Sequence, residues 1–135
     1  MNVTLDECFQ FGLGAFETIG IEQGIPILLD KHLKRLERAA DFLKLGSLSE
    51  RGITARKIEK YLEEQKMRTE VQKEFRNLEH CALKIMLTKE NMVYSLRANH
   101  YTPEKYEKGF FIDISAVKRN ETSPLVYHKT MNYGD

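Results

Sequence analysis

The chain's hydrophobic pattern predicts an α+β fold: a mostly antiparallel sheet with helices packed on one face. Three observations carry this. A hairpin signal lies in residues 16–29, helical periodicity follows to about residue 78, and beyond residue 80 the apolar period drops to two. Elements come in runs of one type, not in the strict strand–helix alternation of a parallel sheet.

The first strand is expected over Phe16 to Ile21, with Glu22-Gln23-Gly24 as the turn and Ile25 to Leu29 as the return strand. Pro26 has no N–H to give a ladder, so the return strand should keep a free edge near its start. Asp30 is expected to N-cap a helix in which Leu33, Leu36, Ala40 and Leu43 share one stripe, with Gly46 as its stop. A second helix should start from Thr54, turning Ile58, Tyr61 and Leu62 inward. Val71, Phe75 and Leu78 continue at helical spacing, which predicts a further segment near 68–78. Charges of alternating sign across 50–80 mark a solvated helical face.

After this the pattern becomes strand-like. Cys81, Leu83, Ile85 and Leu87 point one way, with Lys84 and Thr88 opposite. Glu90-Asn91 forms a turn. Met92, Tyr94, Leu96 and Ala98 then alternate with Ser95 and Arg97, and "GFFIDISAV" from Gly109 is expected to be a third strand of this half.

Length and composition limit the function. At 135 residues, 41% of them hydrophobic, the chain has material for one core. Its net charge of +1, without a basic stripe, argues against nucleic acid as a partner. No apolar run approaches a membrane span, and the N-terminus lacks the layout of a targeting segment. Cys8 and Cys81 share no motif spacing, so reduced thiols and a cytoplasmic location are expected. His32, His80, His100 and His128 are scattered, so no metal is expected. There is no Ser elbow, P-loop or CxxC motif. Arg35 follows His32 by three residues on one helix face and could grip an anion, although most such arginines are only solvated. Lys129, read alone, is an ordinary surface lysine.

Two motifs in combination say more. "FQFGLGAFETIGIEQGIPILLDKHLKRLERAADFLKL" resembles the opening of the class IV aminotransferases, the fold-type IV pyridoxal-phosphate enzymes. That family shows Phe-Gly-Asp-Gly, an apolar residue and Phe-Glu-Thr, then a hairpin and a helix beginning His-x-x-Arg-Leu. Here these read Phe11-Gly12-Leu13-Gly14, Ala15, Phe16-Glu17-Thr18 and His32-Leu33-Lys34-Arg35-Leu36, with Leu13 in place of the Asp. "KRNETSPLVYHKTMNY" is similar to the segment carrying the family's Schiff-base lysine, with the flavour of its aminodeoxychorismate lyase branch.

The resemblance implies that Lys129 holds pyridoxal phosphate as an imine and moves a proton at the substrate's α-carbon. It implies that Arg35 grips the cofactor's phosphate and that Tyr133 reaches its phenolic oxygen. Phe16 and Thr18 would face substrate, and Lys89 would bind a substrate carboxylate. Residues 1–128 would be the N-terminal α+β domain and 129–135 the start of the interdomain segment, with the C-terminal domain absent and the fragment inactive alone. The expected reaction is that of 4-amino-4-deoxychorismate lyase, pyruvate elimination giving 4-aminobenzoate. Branched-chain or D-amino-acid transamination, or a non-catalytic oligomerising domain, are the alternatives. Because a domain parted from its partner exposes the face that the partner covered, a homodimer is expected.

Overall fold

The structure is a computed structural model that describes residues 2–132. Its centre is the strand β1 (Ala15–Glu22), in which buried Ala15, Glu17, Ile19 and Ile21 alternate with Phe16, Thr18 and Gly20. One face of β1 therefore belongs to the core and the other to a more open surface. Gln23 and Gly24 both take positive φ, 51° and 80°, and close a two-residue hairpin. The return strand β2 is short (Ile25–Pro26) and pairs only with Ile21 and Glu22.

The expected helix follows as α2 (Leu29–Phe42), but Asp30 does not cap it. Leu28 holds the N-cap position in the left-handed region, which drops Leu29 into the core and leaves Asp30 inside the first turn. There its charge suits the helix dipole. Nor does Gly46 stop the helix. Lys44 takes the left-handed position, and the Leu45 N–H reaches back to the Ala40 carbonyl at 2.9 Å. Leu45 is buried, so the cap is closed by an apolar contact of the Schellman kind.

Thr54 caps α3 (Ala55–Lys66) by accepting from the Lys57 N–H, and Ile58 and Leu62 face the core. The next segment is α4 (Thr69–Phe75), which buries Val71 and Phe75 before a 3-10 turn brings in Leu78. Then β3 (His80–Leu87) runs antiparallel to β1 over its whole length, and β4 (Met92–Ala98) runs antiparallel to β3. The sheet order is β2-β1-β3-β4. Side chains of β1 and β3 pack with α2 and α3 in one core, to which each fully buried Leu or Ile contributes roughly 1.5–3 kcal/mol.

Residues 109–117 do not form the expected third strand. A short helix α5 (Pro103–Lys108) precedes them, and Phe111, Ile112 and Ile114 lie almost fully exposed. The alternation is real in the sequence, but a strand needs a partner edge, and this segment pairs with none among the described residues.

Two networks brace the sheet's ends. Asp6 caps α1 (Glu7–Phe11) through the Cys8 N–H and also takes the Thr88 hydroxyl, the Asn91 amide and the Glu90 N–H, fixing the N-terminus to the β3–β4 turn. At the other end His80 donates through Nδ1 to Glu22 at 2.7 Å and through Nε2 to the Tyr101 carbonyl at 2.9 Å. Both ring nitrogens face acceptors, and the bond to Glu22 raises the imidazole above its ordinary pKa.

Leu83 is fully buried at the centre of β3. Leu83→Ala should cost about 2–5 kcal/mol in urea unfolding, whereas Phe111→Ala on the exposed segment should stay within about 0.5 kcal/mol.

Candidate active site at the edge of β1

On the side away from β3, β2 pairs with only the last two residues of β1. The start of β1 is met there by the C-terminal segment. The Phe16 N–H donates to the Lys129 carbonyl at 3.1 Å, Thr130 bridges Ala15 in antiparallel register, and the Met131 N–H donates to the Gly14 carbonyl at 2.7 Å. Thr130 is buried by this pairing. His128 stacks on Phe42 at the end of α2, with ring centroids 4.2 Å apart.

The glycines of the Phe-Gly-Leu-Gly motif make this approach possible. A Cβ on Gly14 would lie 2.7 Å from Cys8 Sγ and 3.1 Å from Met131 Sδ. Gly12 has φ of 71° and lies against Asn132, where a Cβ would meet backbone at 3.3 Å. The two motifs singled out in the sequence thus touch, and the first leaves room for the second.

Side chains then gather by strand alternation. Lys129 Nζ sits 4.5 Å from the centroid of the Phe16 ring, and Lys84 Nζ sits 4.8 Å from the same ring. Lys84 is the register partner of Thr18, so Phe16, Thr18, Lys84 and Lys129 form one group on the open side of the sheet. Lys84 is a site residue that sequence reasoning missed. The period-two pattern had already turned it away from the core, and only the β1–β3 register shows what it meets.

Glu17 was missed as well. It points to the core face, where it is fully buried. Arg35 donates to it twice, Nε to Oε1 at 2.5 Å and Nη2 to Oε2 at 2.6 Å, and His32 Nδ1 donates to Oε2 at 2.8 Å. Burial pushes the Glu17 carboxyl up. The hydrogen bonds from Arg35 and His32, with the arginine charge, outweigh this and hold it below the ordinary glutamate value. The two groups meet consecutive residues of one strand, Lys129 at Phe16 and Arg35 at Glu17, whose side chains point to opposite faces of the sheet.

Lys89 lies just past the end of β3, whose last residue, Leu87, pairs with Ala15. Its backbone carbonyl is held by Arg51 Nη1 at 2.5 Å in the β3–β4 turn, and its exposed amine is 4.0 Å from Glu7. Tyr133 lies outside the described residues. A primary amine and an arginine fork held by consecutive residues of β1 are the donor types that suit an aldehyde carrying a phosphate, and in that respect the donor set fits pyridoxal phosphate.

Comparison with known proteins bears on the family and the fold. The family model for amino-transferase class IV matches residues 14–135. The chain belongs to that family. The Bacillus subtilis (strain 168) aminodeoxychorismate lyase is 48% identical over 40 residues, covering 30% of this chain and 14% of the lyase. A crystal structure provisionally assigned as a 4-amino-4-deoxychorismate lyase matches 78% of this chain at 22% identity with a TM-score of 0.55. This chain spans 39% of that protein, and the likeness confirms the α+β fold.

The Glu17 cluster sets an acid limit on stability. A carboxyl whose folded pKa is lowered stabilises the fold above its unfolded value, near 4.5, and loses that contribution as pH falls through the folded value. Urea midpoints of the parent should exceed those of Glu17→Gln at pH 7, and the gap should narrow as the pH is taken below about 4.5.

Proposed function

We propose that this chain carries the lysine and the phosphate-binding arginine of a pyridoxal-phosphate enzyme that acts as a 4-amino-4-deoxychorismate lyase. The observation that carries the reading is the seating of Lys129 against Phe16, on the strand whose next residue, Glu17, holds Arg35. The two lyase relatives support the choice of reaction within the family.

In this reading Lys129 would hold the cofactor covalently through its amine, at the aldehyde carbon. Arg35 takes the phosphate with its planar fork. When bound, pyridoxal phosphate supplies an electron sink for charge developing at the substrate's α-carbon. Lys129 Nζ, freed when the substrate's own amine takes its place, would move the proton at that carbon. Phe16 and Thr18 face the substrate, Lys84 adds a second cation beside Phe16 for an anionic substrate group, and Lys89 takes a carboxylate at the turn. Tyr133 reaches the phenolic oxygen. Residues 1–128 act as the N-terminal domain and 129–135 open the segment toward a second domain. The working protein is a cytoplasmic homodimer.

The first test is covalent. Mixed with pyridoxal phosphate, the chain should develop absorbance near about 410–430 nm, and borohydride should fix the label at one lysine. Peptide mapping should find it at Lys129, and Lys129→Ala should abolish it. Label scattered over many lysines would favour a non-catalytic domain. The second test concerns the reaction. A longer relative with the same two motifs should release pyruvate from aminodeoxychorismate with no keto-acid acceptor, and a strict requirement for an acceptor would point to transamination instead.

A further inference from the structure

Glu17 is the most deeply buried carboxylate among the described residues, and it stands in a row of Ala15, Ile19 and Ile21 where an apolar side chain would pack without desolvating a charge. Replacing a buried ion pair by apolar residues is often neutral or stabilising, so packing does not account for a charge here. Its geometry does. Each carboxylate oxygen takes one N–H of Arg35, and Oε2 also takes His32. Two parallel bonds fix the plane of the guanidinium, and the third keeps the carboxylate from turning. The Arg35 side chain is 47% exposed, so the clamped group still reaches the surface.

We propose that Glu17 is a positioning residue: it holds Arg35 in one plane beside the Lys129 segment, so that the arginine meets the phosphate of the aldehyde cofactor already ordered. This rests on the reading of Arg35 as the phosphate residue. A long arginine side chain left to itself would lose rotamer freedom on binding, and pre-ordering it removes that cost.

The test compares two aldehydes on the full chain, pyridoxal phosphate and pyridoxal, which differ only in the phosphate. The ratio of their apparent Kd values for the reducible Lys129 adduct measures phosphate dependence. The parent should favour the phosphorylated aldehyde by about tenfold or more. In Glu17→Gln, shown to be folded by circular dichroism, the ratio should fall to within about threefold of unity, close to that of Arg35→Met, with the pyridoxal value unchanged within about twofold. A folded Glu17→Gln that keeps or raises the phosphate preference would overturn the positioning role, since Glu17 would then only balance, or compete for, the arginine's charge. A parent with no phosphate preference would remove the role of Arg35 itself, and the inference with it. Should Glu17→Gln fail to fold, NMR of the parent decides. A clamped Arg35 shows one Nε–H resonance whose solvent exchange is slowed by about a hundredfold or more against exposed arginines; rapid exchange overturns the clamp.

Discussion

A fully buried carboxylate organises this domain's chemistry. Glu17 costs several kcal/mol to desolvate unless it is fully paired, and it is paired by donors from one helix, Arg35 and His32 of α2. That requirement sets where α2 must lie against β1 and in what rotation. The helix must present positions three apart toward one point on the strand, which its first turns do. Leu36, Ala39 and Ala40 then fall into the core on the neighbouring stripe. The left-handed Leu28 and the short β2 follow from the same need, because the chain must leave the hairpin early enough for the helix to run back over Glu17.

The second constraint is steric. The lysine segment is held mainly by backbone bonds to Gly14, Ala15 and Phe16 and by the stacking of His128 on Phe42. Such an approach tolerates little bulk, and Gly12 and Gly14 provide the space. The consecutive positions Phe16 and Glu17 then do opposite things. Phe16 turns outward to receive the ammonium groups of Lys129 and Lys84, while Glu17 turns inward to hold the guanidinium. Strand alternation alone sends the lysine amines and the guanidinium to opposite faces of β1.

Much of this was legible in the sequence. The period-two runs gave β1 and β3 with their inward faces, and the helical stripe gave α2 and α3, because burial of one face writes its period into the chain. Asp30 and Gly46 misled because capping is settled by where neighbouring apolar residues must go, and Leu29 and Leu45 were drawn into the core. Residues 109–117 misled for a different reason. Alternation records a capacity for pairing, and pairing also needs an edge. Lys129, Phe16 and Thr18 were proposed only through a family likeness, and Arg35 through its spacing from His32 together with that likeness. Glu17 and Lys84 stayed hidden, since a buried charge and a register neighbour are properties of contacts between distant segments.

The open edge of β1 ties these observations together. Free edges are liabilities in antiparallel sheets, since unpaired backbone groups invite other strands. Here β2 covers Ile21 and Glu22, the Ile27 N–H reaches the Gly20 carbonyl at 2.8 Å, and at the other end Lys129 and Thr130 pair with Phe16 and Ala15. A longer β2 would have sealed the edge and kept the lysine segment off the strand. It would also have pushed the start of α2 further along the chain and carried Arg35 and His32 away from Glu17. The abrupt hairpin, whose return strand is cut to two residues, is thus the feature that lets one strand meet both the Lys129 segment and Arg35.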